Sequence, residues 1–194
     1  MVRNKFINFF SLFLLSLLTF SCGTINRLND SNNNITVEQK IKRYIKLYAP
    51  IARKQMKVYK IPASVTMAQG ILESGYGEAT LAKKGNNHFG IKCHKDWKGK
   101  KIFHDDDEEN ECFRSYSNPV KSYKDHSLFL ANRDRYRFLF DLNSKDYKSW
   151  AKGLKKAGYA TDPDYSKKLI SLIERFNLSQ LDQYLIFFIL KNCY

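Results

Sequence analysis

The chain has 194 residues, 43% of them hydrophobic, and a formal net charge of +14 at pH 7. This length suits one domain with a proper core. The basic excess favours a polyanionic surface such as anionic lipid or cell-wall polymer, and the lack of any nucleic-acid-binding motif removes nucleic acid from the expected partners.

Arg3 and Lys5 precede the apolar run FINFFSLFLLSLLTF at residues 6–20, which is shorter than the roughly 20 residues that span a bilayer. Ser21-Cys22-Gly23 follows, with Leu18 upstream, and the arrangement resembles a bacterial lipoprotein signal. Such signals are cut before the cysteine, which then carries the lipid. Residues 1–21 are therefore expected to be a signal peptide and Cys22 the lipidation site. Thr19 and Phe20 depart from the usual pattern, so an ordinary signal peptide or an uncleaved anchor is the alternative. Each of these exports the body of the chain, and a lipid-anchored position in the cell envelope (outer membrane or periplasm) is expected. Losing Arg3 and Lys5 and no acid lowers the net charge from +14 to +12.

Residues 22–35 are polar and Asn-rich and read as a flexible tether. Thr36-Val37-Glu38-Gln39 has the form of a capping box, and Val37, Ile41, Tyr44, Ile45 and Tyr48 recur at helical spacing. Pro50 is expected to end this helix and open a second, reaching about residue 59. Pro62 and Ser64 start a third, which Gly75-Tyr76-Gly77 ends. Its segment TMAQGILESGYGE (66–78) holds one carboxylate, Glu73, in otherwise apolar surroundings. Val65, Ala68 and Leu72 share a face with Glu73 at its edge, and Gly70 and Gly77, one turn away, are expected to leave the surface beside it bare. Partial burial raises a carboxyl pKa, which suits a general acid. The alternative is a glutamate at the solvent border of an amphipathic helix.

Gly85-Asn86-Asn87 is turn chemistry. Residues 89–93, 100–104 and 111–116 are short aromatic-bearing runs that suggest a small sheet or hairpin. The tip DDDEENE (105–111) has six acids in seven residues, and most of them read as a solvated turn. A calcium loop is disfavoured, because Asn110 stands at its sixth position and Tyr116 at its twelfth. Helices are expected over 122–132, 136–142 and 147–157, and a last one opens at Asp162-Pro163. The apolar stretch 184–190 is too short to span a membrane and has no assigned role.

Cys93 and Cys112 flank eighteen residues and can pair in an oxidising compartment, which would contribute about 3 kcal/mol in the chain-entropy model. Cys193 is left over. A Cys/His peptidase built from Cys93 or Cys112 with His94 or His126 lacks its local signatures. His88, His94, His104 and His126 show no metal-ligand spacing, so no metal or organic cofactor is expected.

The segments IPASVTMAQGILESGYGEATLA (61–82), GNNHFGIK (85–92), WKGK (97–100), CFRSY (112–116) and AGYATDPDYSKKL (157–169) resemble, in order, the glucosaminidase domain of glycoside hydrolase family 73. The likeness covers about residues 44–178. It implies a lysozyme-like α+β fold, with a mainly helical lobe, a small β-hairpin lobe and a cleft between them, over a domain at 36–178 followed by a tail at 179–194. It implies cleavage of the β-1,4 bond after N-acetylglucosamine in peptidoglycan glycan strands. Glu73 matches the family's catalytic acid. The second acid falls on the hairpin, best on Glu108, with Asp106 and Asp107 as rivals. Tyr159 matches a tyrosine lining the cleft. Asn87 is a candidate for an acetamido group, which turn duty explains equally well, and Phe89 and Trp97 are candidate sugar platforms for which core packing is the commoner role. A monomer is expected. The competing readings are a lytic transglycosylase on the same fold and a non-catalytic wall-binding lipoprotein.

Overall fold

A computed structural model describes residues 35–183 apart from residue 96. The signal peptide, Cys22, nearly all of the tether, and the tail beyond residue 183 with Cys193 lie outside the described residues. Among the described residues, no helix is long and apolar enough to cross a membrane.

Helix α1 (Val37–Tyr59) starts at the expected capping box: the Thr36 hydroxyl accepts from the Gln39 N–H and the Gln39 side chain accepts from the Thr36 N–H. The helix does not break at Pro50, which lies inside it. Proline within a helix costs about 3 kcal/mol. The buried stripe Ile41, Tyr44, Ala52, Gln55 and Met56 nevertheless stays in phase across it, and burying both halves against the next helix outweighs that cost. Helix α2 (Ala63–Glu73) is enclosed, with every residue from Ala63 to Ile71 buried. A helix buried on all sides in this way forms the centre of a domain. Helix α1 packs along one side of α2, and a later helix, α6 (Tyr165–Arg175), along another.

The N-terminus of α2 has no capping side chain of its own. Asp182, in the 3-10 turn Leu178–Asp182, supplies the cap instead. Its Oδ1 accepts the Ser64 N–H at 2.8 Å and its Oδ2 accepts the Ser64 hydroxyl. The fold therefore extends past residue 178, and residues 179–183 belong to it rather than to a tail.

After the short helix α3 (Thr80–Gly85) come β1 (Lys101–His104) and β2 (Glu111–Arg114), antiparallel with Ile102 opposite Phe113 and His104 opposite Glu111. Residues 89–93 do not form the expected third strand. They contribute one bridge, Lys92 to Phe113, flanked by Arg114 N–H to Ile91 C=O and Cys93 N–H to Cys112 C=O. Cys93 and Cys112 are disulfide-bonded. With both sulfurs so engaged and His126 fully buried, the Cys/His peptidase reading is removed. Helix α4 (Pro119–Ala131) starts earlier than expected because Asn118 caps it and proline occupies its first turn. The run expected over 136–142 is the 3-10 turn Asp134–Asp141. Helix α5 (Tyr147–Lys156) is capped by Asp146. Helix α6 opens at Tyr165 rather than beside Pro163, because the Asp162 carboxylate accepts the Asp164 N–H and holds those residues in a turn.

Gly70 and Gly77 do not bare the cleft. A Cβ on Gly70 would lie 2.7 Å from the Tyr44 hydroxyl, and one on Gly77 would lie 3.1 Å from the Tyr44 ring. The two glycines admit Tyr44, whose hydroxyl meets His88 Nδ1 and accepts from the Tyr123 hydroxyl.

Replacing the remote cap should be felt throughout the domain. Asp182→Ala leaves the Ser64 N–H and hydroxyl buried without partners, and a loss of about 1–3 kcal/mol is expected. A thermal or urea unfolding curve indistinguishable from that of the parent protein would contradict this role.

Candidate active site

Glu73 is the last residue of α2. The enclosed helix drives it outward to where the chain turns, so its carboxyl is partly buried at the edge of the core. Burial raises its pKa, the Tyr165 hydroxyl partly offsets this by donating to Oε1 at 2.8 Å, and the charge of Asp106 raises it further. The negative end of the α2 macrodipole acts in the same direction as the burial. Tyr165 is itself oriented by Gln69, one turn back along α2, whose amide donates to the phenol oxygen.

Glu73 opens on a cleft of about 410 Å³ between the helical body and the hairpin. Phe89, Phe129 and Tyr159 supply aromatic surface, and Asp106, His104 and Lys92 come from the β side. Tyr159 stacks on Tyr165 with ring centroids 5.6 Å apart. Burial, and then the charge of Glu73, push its phenol pKa well up, so the hydroxyl stays neutral. Phe89 lines the cleft but is only 4% exposed, stacked on His126 at 4.0 Å, so it acts as floor rather than platform. Burial holds the His126 pKa down to about 3, so the residue behind that floor is neutral.

The acidic hairpin tip is organised by two residues that the sequence reading passed over. Lys92 Nζ lies 2.6 Å from Glu111, 2.9 Å from Asp107 and 3.9 Å from Asp106. The other Glu111 oxygen accepts the Asp107 N–H, with the Glu108 N–H at 3.4 Å. Oxygens of Asp106, Asp107 and Glu111 gather within 4.8 Å of one another, and the Lys92 ammonium already supplies the positive charge that such a group calls for. These contacts turn Asp106 toward the cleft. Glu108 is exposed and is not among the residues lining the cleft.

Two further candidates have structural duties. Asn87 is 1% exposed, and its amide is committed to backbone: it donates to Ile91 and Arg114 carbonyls and accepts from the Phe89 and Ile91 N–H groups. That leaves no group free for an acetamido substituent. Trp97 stands away from the cleft. Its indole N–H donates to the Lys100 carbonyl, and its ring packs 4.7 Å from the Arg114 guanidinium. Arg114 in turn makes two bonds to Asp125 on α4, and Asp125 also accepts from the Tyr116 hydroxyl. Trp97 thus braces the joint between hairpin and helical body. Tyr165 was missed as a site residue, although it lies within the AGYATDPDYSKKL segment; an aromatic in the first turn of a helix ordinarily reads as core.

Known proteins share the sequence and fold of this domain. The family described as mannosyl-glycoprotein endo-beta-N-acetylglucosaminidase matches residues 49–178. The exo-glucosaminidase LytG of Bacillus subtilis is 36% identical over 138 residues, which is 64% of this chain and 48% of that protein. The peptidoglycan hydrolase FlgJ of Vibrio parahaemolyticus is 33% identical over 143 residues, 68% of this chain and 46% of that protein. The chain thus spans about half the length of these curated relatives. Among solved structures, the catalytic domain of the autolysin Auto from Listeria monocytogenes superposes with a TM-score of 0.65 at 30% identity, covering 74% of this chain and 88% of that one. The glycoside hydrolase domain of Salmonella typhimurium FlgJ gives 0.62 at 27% identity, over 72% and 90%. A mostly helical, lysozyme-like body with a two-stranded hairpin, matched in sequence over two thirds of its length, makes this chain a member of the mannosyl-glycoprotein endo-β-N-acetylglucosaminidase family.

Proposed function

We propose that the protein is a peptidoglycan hydrolase that cleaves the β-1,4 bond after N-acetylglucosamine, with Glu73 as general acid. The observation that carries this reading is a carboxyl with a raised pKa at the end of a buried helix, opening on an aromatic-lined cleft that a second carboxylate also enters. Glycoside hydrolysis needs a proton at the leaving oxygen and a second carboxylate to activate water or steady an oxocarbenium-like centre. Glu73 delivers the proton, and its burial keeps that proton on at pH values where an exposed glutamate has lost it. Asp106 fits the second role better than Glu108. It lines the same cleft, and its charge is felt by Glu73. Tyr159 and Phe129 offer faces for the sugars.

Residues 1–21 as a signal peptide and Cys22 as a lipidated residue complete the proposal, with the domain working on glycan strands in the cell envelope, tethered to a membrane. Muropeptide analysis tests the reaction. New reducing N-acetylglucosamine ends support it, whereas 1,6-anhydromuramic ends would mean a lytic transglycosylase, and no product would leave a wall-binding module.

Glu73→Gln is expected to lower the rate by about 10²–10⁴ or more, the usual worth of general acid catalysis, while the protein still folds. A raised folded-state pKa adds stability below the ordinary carboxyl pKa, and that stability is lost as pH rises through the folded value. Ionised Glu73 is thus a cost at neutral pH, and the Gln variant should melt no lower than the parent there. Retained clearing of a peptidoglycan zymogram would end the assignment.

Of the hairpin acids, Asp106→Asn should lose about 10²-fold or more in kcat, and Glu108→Gln should stay within a few-fold of the parent. The reverse order would return the second role to Glu108.

Tyr165 stabilises the charged form of Glu73, so Tyr165→Phe raises that pKa further. Because the protonated acid is the active form, the alkaline limb of the kcat–pH profile should move to higher pH in this variant. A limb that stays in place, or moves down, contradicts the proton-donor role.

A further inference from the structure

Beside the cleft lies a second hollow, of about 580 Å³, lined by His94, Phe129, Asn132, Arg133, Asp134 and Arg135. His94 and Phe129 belong to both cavities, their rings stacked with centroids 6.3 Å apart, so the two spaces share a wall. The hollow is basic. Arg133 lays its guanidinium 3.6 Å from the Phe129 ring centroid, and Arg135 lies over the Tyr136 ring and donates to the Tyr136 hydroxyl. Neither arginine has a carboxylate partner among the described residues. The nearby acids are committed elsewhere: Asp134 is held by Arg137 at 2.7 Å and Asp125 by Arg114 at 2.8 Å. Burial pulls the Arg133 pKa down, and the charges of Arg114 and Arg135 act the same way against Tyr136 and Asp125, which raise it.

We infer that this annex is a subsite for the carboxylates of the peptide borne by the glycan, so that the enzyme reads the substituent as well as the sugar chain. The inference rests on the peptidoglycan reading above. Every second sugar of peptidoglycan carries a lactyl-linked peptide with free carboxylates, so a strand lying in the cleft brings such groups to its sides. Two planar guanidinium forks fixed on aromatic rings suit carboxylates, because each can bond two oxygens at little entropic cost. His94, whose pKa is lowered by burial and by the neighbouring arginines, adds a hydrogen-bonding edge on the wall that the two cavities share.

The test compares kcat/KM of the full chain on glycan strands that keep their peptides and on strands stripped by an amidase. Both substrates are first freed of phosphate-bearing wall polymers. The parent should favour the peptide-bearing strand by about tenfold or more, and the Arg133→Gln/Arg135→Gln variant should bring that ratio close to one. A parent ratio near one overturns the annex and leaves the hydrolase reading standing, and this comparison needs no variant. A ratio that survives the double substitution also overturns it, as does a preference seen only when the phosphate polymers are left on. A parent that cleaves neither substrate sinks the hydrolase reading and takes the annex with it.

Discussion

The structure depends on holding one carboxyl at the end of a helix that has no solvent-facing side. An ionised carboxylate is costly in such a place, and that cost is expressed as a raised pKa. No cation is paired with Glu73 among the described residues; its bonded neighbour is the neutral phenol of Tyr165. A lysine or arginine there would favour the ionised form and, on the mechanism proposed above, would take away the proton to be donated. The enclosed helix, the phenol and the acid on the facing hairpin together set one property, the pKa of the Glu73 carboxyl.

The facing hairpin has only two strands of four residues each, too little sheet to be stable alone. It is held by what surrounds it. The Cys93–Cys112 disulfide ties β2 to the preceding segment, the Arg114–Asp125–Tyr116 group ties it to α4, and Lys92 gathers the tip. Asn87 joins the same assembly through four backbone bonds. Several residues that look like ligand contacts in the sequence are, for this reason, part of the frame.

Glu73 stood out because a charged residue in an otherwise apolar run breaks a strong pattern, whereas Tyr159 was reached only through the family resemblance of its segment. The helices were legible where caps and periodicity agree, as at Thr36. Pro50 misled because its local cost was weighed without the stripe continuing beyond it. The glycines beside Glu73 misled because an absent side chain says that something comes close, not what; here it is Tyr44. The choice between Asp106 and Glu108 turns on how a seven-residue acidic tip is folded, and that depends on Lys92, fifteen residues from Asp107, a pairing no local pattern encodes. The annex was invisible for a similar reason: Arg133 and Arg135 are ordinary surface residues until Phe129 and His94 are brought beside them.

The clasp between Ser64 and Asp182 joins positions 118 apart in the chain, and it bears on timing. A polypeptide made amino end first presents Glu73 about a hundred residues before the group that caps its helix. Until Asp182 arrives, the Ser64 N–H and hydroxyl at the start of that helix lack the partner that the finished fold gives them. The helix that carries Glu73 is thus completed only once nearly the whole domain is present.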